Sequence, residues 1–183
     1  MSNIAFIDVE TTGLKPGPDS LLEIACIVTD DQLNILDEKG YHAIVWYSTA
    51  RRLQLMEETS LYVYEMHMKT GLWDRVTSVQ AKSIAHIDEN FADYLGQFGP
   101  PREMPVGGNS VRLDMNFIDH FLPKVSAQLG YRMRDVSTVA GFAHDLLGVP
   151  YLEKASDHTA MTDIREIGHV VASVAQSMKM TPW

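Results

Sequence analysis

Cysteine is nearly absent from this 183-residue sequence, which has Cys26 alone and therefore no internal disulfide. Long apolar runs are missing as well, since no stretch approaches the roughly 18 uncharged apolar residues of a membrane-spanning helix. The amino terminus lacks the basic region and apolar core that mark a secretory signal. These absences exclude a disulfide-stapled secreted fold and predict a cytoplasmic location.

Basic residues are scarce too. The sequence has 15 Lys and Arg against 24 Asp and Glu, a formal net charge of −9. Proteins that hold long nucleic acid do so by neutralising many phosphates with Lys and Arg over an extended surface. The charge balance argues against that class and leaves open short substrates, or contacts made through a metal.

The composition is otherwise that of a soluble globular protein, with 45% apolar and 21% charged residues. A chain of this length suits one domain that buries a substantial core without disulfides. No internal repeat, low-complexity tract or linker divides it. We therefore predict a single domain over residues 1–183.

Strands and helices alternate along the sequence. Apolar stretches bounded by Gly, Pro or Asp predict strands, at residues 4–7, 21–29, 35–47, 104–110 and 131–136. Apolar residues spaced three and four apart predict helices, at residues 51–70, 78–98, 117–125, 137–147 and 159–177. Ser78 and Ser137 are the expected N-caps of two of them. The pattern is typical of an α/β domain.

The end of the first strand is acidic. Asp8 and Glu10 are two residues apart, so they project from the same face of the strand. Two carboxylates this close repel each other and resist burial unless a cation neutralises them. Oxygen ligands of this kind favour Mg²⁺ or Mn²⁺. A D-x-E pair at a strand end is also common as a solvated turn, so the motif alone leaves both interpretations open.

Three further residues suit the same chemistry. Asp114 follows the glycine-rich turn at the end of the fourth predicted strand. His158 and Asp163 are five residues apart, which places both near the start of the last predicted helix without stacking them on one face.

Taken together, these motifs resemble the DEDDh 3′-to-5′ exonucleases of the ribonuclease H-like fold and, within them, the oligoribonucleases. The matching blocks are D-V-E-T-T-G-L at 8–14, M-H-x-x-T-G-L at 66–72, G-N-S at 108–110, Y-R-x-R-D-V-S-T at 131–138, and residues 157–166. The resemblance implies an α/β, ribonuclease H-like fold with a mixed five-stranded sheet flanked by helices.

The resemblance also implies the catalytic groups. Asp8, Glu10, Asp114 and Asp163 would bind two divalent cations, Mg²⁺ or Mn²⁺, and His158 would be the general base. Two ions roughly 3.5–4 Å apart can activate a water and stabilise the leaving 3′-oxygen of a phosphodiester. An unperturbed His pKa of about 6.5 allows proton transfer near neutral pH.

A pocket for the last nucleotides of a substrate is implied as well. Leu14 would wedge against the bases, and the family's stacking aromatic falls near Tyr62, with Tyr64 as a rival. An aromatic at either position could stack on a base.

Other polar residues of the matching blocks carry implied substrate contacts. His67 and Ser110 would contact the nucleotides. Tyr131, Arg132 and Ser137 would cap the 5′ phosphate of a dinucleotide, some of them across a homodimer interface. A guanidinium suits this task because it can bind phosphate oxygens through two parallel hydrogen bonds.

Three functional hypotheses follow. The first is a metal-dependent exoribonuclease that acts on short single-stranded RNA, down to dinucleotides, and releases 5′-mononucleotides. The second is a DNA-directed 3′-to-5′ exonuclease of the same superfamily, of the proofreading or repair type. The third is a catalytically silent nucleic-acid-binding module, which four converging carboxylates disfavour because they repel phosphate when no metal is bound.

Overall fold

The computed structural model describes residues 2–150, 159–162, 164 and 165, with a five-stranded sheet at its centre. The strands are β1 (Ile4–Thr11), β2 (Leu21–Thr29), β3 (Tyr41–Ile44), β4 (Met104–Gly108) and β5 (Leu129–Asp135). Their order across the sheet is β3-β2-β1-β4-β5. The pairs β1–β2 and β2–β3 are antiparallel, whereas β1–β4 and β4–β5 are parallel. The predicted mixed five-stranded sheet is confirmed.

Helices flank the sheet. They are α1 (Thr49–Glu58), α2 (Leu61–Lys69), α3 (Leu72–Arg75), α4 (Ile84–Gly96), α5 (Arg112–Phe121), α6 (Pro123–Gln128) and α7 (Val136–Leu147). Residues 160–162, 164 and 165 are helical too. Within these described segments, no helix has the length and apolar character needed to cross a bilayer.

β1 is the central strand, and each of its faces packs against a different apolar cluster. The odd-numbered residues of its first half lie in the main core, with side chains of β2, β4, α4 and α5. Ile4 and Phe6 project to the other face and pack in a second cluster that includes Ala160 and Ile164. Because side chains alternate along a strand, Asp8 projects on this second face. The start of the last predicted helix therefore covers the face of β1 that carries the acidic residues.

The helix predicted over residues 51–70 is two helices. Thr59 ends α1 in an extended conformation, with φ −81° and ψ 160°, and Ser60 caps α2 by accepting a hydrogen bond from Val63 N. The apolar periodicity runs through the break, so it could not reveal it. The local signal was the Thr-Ser pair, because Ser favours the extended N-cap position.

Other predicted boundaries are wrong as well. The helix predicted over residues 117–125 is two helices, because α5 ends at Phe121 and α6 begins at Pro123. Of the strand predicted over residues 35–47, only Tyr41–Ile44 forms β3. Ser83, and not Ser78, caps α4. The reason is tertiary pairing, since Lys82 N donates to Ile44 O at 2.8 Å and holds the segment before α4 extended beside β3.

Candidate active site

The two acidic residues of β1 lie at its carboxyl end, where the parallel neighbour β4 has already stopped. Glu10 is 7% exposed, and Asp8 is partly buried. Glu10 is paired in register with Glu23 of β2, and Asp8 with Ala25. Directly opposed residues of antiparallel strands project on the same face of the sheet, so three acidic side chains lie near the carboxyl end of β1. This end of β1 is called the acidic edge below.

Asp114 reaches this edge from the first turn of α5. β4 pairs with β1 only as far as Phe6, and beyond that point Val9 N donates a hydrogen bond to Asp114 Oδ1 at 3.0 Å. The bond joins residues 105 positions apart and fixes the Asp114 carboxylate beside the peptide between Asp8 and Glu10. The hydrogen bond therefore brings Asp114 to the part of β1 that carries Asp8 and Glu10.

Asp114 is buried where its charged form is costly. Burial, at 4% exposure, raises the pKa of Asp114 to about 7; the hydrogen bond from Val9 opposes the rise, and the nearby charge of Asp135 adds to it. A buried carboxylate of this kind is stabilised in its charged form by a bound metal ion. The all-oxygen donor set of Asp8, Glu10 and Asp114 fits a hard divalent cation.

The remaining predicted catalytic groups, His158 and Asp163, lie outside the described residues. Among the residues that are described, no three His, Cys, Asp or Glu side chains are grouped closely enough to hold a metal by themselves. Ala160 and Ile164, on either side of Asp163 in sequence, pack with Phe6 on the acidic face of β1. The described neighbours of Asp163 therefore lie on the same face of β1 as Asp8, and the roles of His158 and Asp163 stay predictions.

His67 lies behind the acidic edge. It is fully buried, and its Nε2 donates to Thr11 O at 2.9 Å. Because a carbonyl oxygen only accepts, Nε2 carries the hydrogen, and Nδ1 faces Glu10 Oε2 at 3.9 Å. Trp73 packs edge-on against the ring, 5.6 Å between centroids. The predicted substrate contact of His67 stays a prediction, and its described contacts include the backbone of β1.

Two of the predicted substrate residues, Ser110 and Ser137, are neighbours. Ser110 adopts a positive φ of 55° and its N–H donates to Ser137 Oγ at 3.2 Å. Their hydroxyl oxygens are 3.5 Å apart. The G-N-S turn and the start of α7 therefore present adjacent hydroxyls beside α5.

Asp135 holds this pair together, and the sequence prediction missed it. Its Oδ1 accepts from Ser137 Oγ at 2.6 Å and from Thr138 N at 3.1 Å, and its Oδ2 accepts from Val111 N at 3.2 Å. Burial alone would raise the pKa of Asp135, but these hydrogen bonds outweigh it and the pKa is lowered. Asp135, and not Ser137, caps α7, and the Asp two residues before Ser-Thr was the signal for it.

The implied base-stacking residues are open to solvent. Leu14 is 72% exposed and Tyr62 is 71% exposed. Tyr64 packs against an apolar cluster, and its carbonyl accepts a hydrogen bond from Trp73 Nε1 at 3.2 Å. Of the two aromatic candidates, Tyr62 is therefore the one whose ring is available to a nucleobase.

Tyr131 and Arg132 lie elsewhere, near the start of the edge strand β5. Arg132 Nε donates to Tyr131 Oη at 3.3 Å, and the guanidinium carbon is 5.6 Å from the tyrosine ring centroid. With Arg102 they line a cavity of about 260 Å³. Tyr131 is four positions before Asp135, about 13 Å along a strand. The structure does not bring them to the Ser137 pair of the same chain.

A buried ion pair adjoins the site, and the sequence prediction missed it too. Glu23 is 1% exposed and contacts His42 Nε2 at 2.6 Å and Arg75 Nη1 at 3.0 Å. Burial alone would raise the pKa of Glu23, but the hydrogen bond to His42 and the charge of Arg75 outweigh it, so the pKa lies below the ordinary 4.5. Arg75 thereby anchors the end of α3 to β2, next to Glu10.

This pair makes stability depend on pH. A lowered carboxyl pKa contributes stability that is present above the unfolded-state value of 4.5 and is lost as pH falls through the folded-state value. We expect Arg75→Ala to lower the free energy of unfolding by about 3 kcal/mol at pH 7, because Glu23 keeps a buried charge. Urea titrations at pH 7 and pH 4 should show a smaller loss at pH 4. The exposed pair of Arg51 and Glu58 supplies the control, since Arg51→Ala should cost under about 1 kcal/mol. Equal losses for the two variants would contradict the assignment.

Comparison with known proteins identifies the family of the chain. The Exonuclease family model (RNase_T) matches residues 5–171. The oligoribonuclease of Klebsiella pneumoniae subsp. pneumoniae is 36% identical over 171 residues, 90% of this chain and 89% of that protein. The oligoribonuclease of Nocardia farcinica is 35% identical over 169 residues, 89% of this chain and 74% of that protein.

A solved structure shows the same fold. The zinc-bound complex of E. coli exonuclease I with single-stranded DNA superposes with a TM-score of 0.69 over 97% of this chain, at 17% identity. This chain spans 41% of that one. The predicted ribonuclease H-like exonuclease fold is confirmed, and exonucleases of this kind are metal-dependent. By the matched domain and by the identity and coverage of its relatives, the chain belongs to the exonuclease family and, within it, to the oligoribonucleases.

Proposed function

We propose that this chain, a 3′-to-5′ exoribonuclease by its family, degrades short single-stranded RNA in the cytoplasm, down to dinucleotides, and releases 5′-mononucleotides. One observation carries the proposal. The Asp114 carboxylate is fixed on Val9 N, between Asp8 and Glu10, at the carboxyl end of the central strand. This is where ligands bind in open α/β sheets.

The residue types define the chemistry. Asp8, Glu10 and Asp114, with Asp163, would hold two divalent cations, Mg²⁺ or Mn²⁺. When bound, such ions lower the pKa of a coordinated water and stabilise the charge on the leaving 3′-oxygen. His158 would take the proton of the attacking water. The buried His67 lies beside Glu10, and its ring is held in place by Thr11 O and Trp73.

The substrate would lie across the open residues around this edge. Leu14 and Tyr62 would enclose the terminal base, and the hydroxyls of Ser110 and Ser137 are close enough together to contact the same nucleotide. Aromatic stacking is tolerant of base identity, as required of an enzyme that degrades mixed sequences.

A homodimer would bring the remaining substrate residues into place. Tyr131 and Arg132 lie on the edge strand, away from the Ser137 pair of their own chain. Large apolar side chains are exposed on β5 and on α7, with Met133 41% exposed and Phe142 62% exposed. Exposed apolar area beside an edge strand favours association. A second copy docked on this surface could direct its Arg132 at the 5′ phosphate of a dinucleotide.

A length-resolved assay tests the function. Purified protein is incubated with Mn²⁺ and 5′-labelled RNA and DNA of two, four and twenty nucleotides. We expect kcat/KM for the RNA dinucleotide to exceed that for the DNA dinucleotide by about tenfold, the worth of one hydrogen bond to the 2′-hydroxyl. The twenty-nucleotide substrates should be cut more slowly still, and a chelator should stop all cleavage. A preference for the long DNA would support the DNA-directed alternative instead.

A further inference from the structure

The loop after β1 and helix α2 are joined by two hydrogen bonds to consecutive carbonyl groups. Thr59, immediately before the N-cap of α2, donates its hydroxyl to Thr12 O. His67, near the end of the same helix, donates Nε2 to Thr11 O at 2.9 Å. Helix α2 and the residue before its N-cap are therefore fixed to the backbone where β1 ends and the loop that leads to Leu14 begins.

The loop itself is firmly held. Thr12 is 6% exposed, its N–H donates to Ser20 O at 3.0 Å, and its Oγ1 accepts from Ser20 N at 2.9 Å. Lys15 N donates to Asp19 Oδ2 at 2.8 Å. A Cβ on Gly13 would come within 2.5 Å of the Asp19 carboxylate, so a larger residue here would displace the side chain that binds Lys15 N. Leu14 thus projects from a closed, rigid turn.

The proposed function places the terminal base between Leu14 and Tyr62, and this space is called the base slot below. Thr59 connects the loop that carries Leu14 to the helix that carries Tyr62. It is the C-cap of α1, and Tyr62 follows three residues later on α2. We propose that Thr59 is a positioning residue whose hydroxyl, by binding Thr12 O, sets the separation between Leu14 and Tyr62 and thereby the affinity for the substrate's terminal base. The inference rests on the proposed function, because it takes Leu14 and Tyr62 as the slot.

The physical reason is that contact energy falls steeply with distance. A gap of about 0.5–1 Å forfeits about a quarter to a half of the dispersion energy of each contact. The bond from Thr59 exists in the free protein, so the slot is formed before substrate arrives. Its loss should weaken binding and leave the hydrolytic step unchanged, since Thr59 touches none of the acidic residues in the described contacts.

A pair of substitutions isolates the hydroxyl. Thr59→Val keeps the shape and removes the donor, whereas Thr59→Ser keeps the donor. We expect Thr59→Val to raise KM for an RNA dinucleotide about tenfold, the worth of one hydrogen bond, with kcat within about twofold. Thr59→Ser should stay within about twofold of the unmodified protein in both constants. Thermal unfolding of each variant, with a midpoint above the assay temperature, shows that it is folded in the assay.

The same substitutions in a Tyr62→Ala background separate the inference from the function it rests on. If the bond acts through the slot, Thr59→Val should add little to the KM of Tyr62→Ala. A tenfold rise in KM caused by Thr59→Val in the Tyr62→Ala background as well would overturn the role of Thr59 and leave the proposed function untouched. Equal KM values for Thr59→Val and Thr59→Ser would do the same. An unchanged KM for Tyr62→Ala itself would overturn the slot, and the positioning role with it. If Thr59→Val does not fold, Thr59→Asn replaces it, because this substitution changes the position of the donor. A raised KM for Thr59→Asn supports the proposal, and an unchanged KM overturns it.

Discussion

Hydrolysis by the Asp114→Asn variant should be slower by about a thousandfold or more, with the fold intact. A metal contributes several kcal/mol to stabilising the charges of the transition state, and about 4 kcal/mol corresponds to a thousandfold in rate. The amide oxygen of the substituted side chain can still accept the hydrogen bond from Val9 N, because it takes the place of Asp114 Oδ1. The substitution therefore removes the negative charge and keeps the connection between α5 and β1.

Thermal unfolding distinguishes this loss from misfolding. In the metal-free protein the raised pKa of Asp114 means that ionising it opposes folding, increasingly as pH rises from 3.8 towards about 7. In a chelator at pH 8, the Tm of Asp114→Asn should equal or exceed that of the unmodified protein. Adding Mn²⁺ should raise the Tm of the unmodified protein and leave that of the variant nearly unchanged.

Asp119 provides the matched control. It is exposed on the same helix, and its carboxylate accepts a hydrogen bond from Ser126 Oγ at 2.6 Å. Asp119→Asn makes the same chemical change away from β1 and should retain full activity and the full response to Mn²⁺. Activity of Asp114→Asn within tenfold of the unmodified protein would refute its role as a metal ligand.

Substitution of Arg132 should have the second-largest effect. We expect Arg132→Ala to lower kcat/KM for a 5′-phosphorylated RNA dinucleotide about a hundredfold, since a bidentate guanidinium–phosphate contact contributes about 3 kcal/mol. The same dinucleotide without its 5′ phosphate should be affected by less than about threefold, because it offers no partner for the guanidinium. An equal effect on both substrates would argue against a phosphate contact.

Mixed dimers test which copy provides Arg132. Asp114→Asn and Arg132→Ala chains are produced together with different tags, and the heterodimer is isolated. If Arg132 acts on the site of the other copy, one of the two sites has all its groups and the heterodimer recovers about half of the full activity. If Arg132 acts on its own chain, neither site is complete.

Sedimentation of Phe142→Asp, which places a charge on the exposed apolar surface of α7, should give a monomer.

Local patterns were enough to predict β1, the acidic pair at its end and the position of Asp114 after a glycine-rich turn. Strand alternation places Asp8 and Glu10 on one face, and each of these signals is contained in a few neighbouring residues. The family resemblance supplied the connection between them, and the hydrogen bond of Asp114 to Val9 N agrees with it. The predictions for His158 and Asp163 concern residues that the structure does not describe.

The features that could not be predicted depend on contacts between distant segments. The pairing of Lys82 with β3 displaced the expected cap of α4. Arg75 meets Glu23 across 52 residues, and Thr59 meets Thr12 across 47. A pattern within ten to twenty residues cannot predict such a contact, because the two partners are about 50 residues apart. Each partner alone is a residue type that is common on protein surfaces. Tertiary packing decides them.

The hydrogen bond between Val9 and Asp114 also has a consequence for the order of folding. β1 is translated well before α5, so its acidic side chains acquire their companion only after more than a hundred further residues have been added and α5 has docked. Contacts of such wide sequence separation form late, because a long intervening loop must close first. The proposed metal site can therefore form only after α5 has docked on β1.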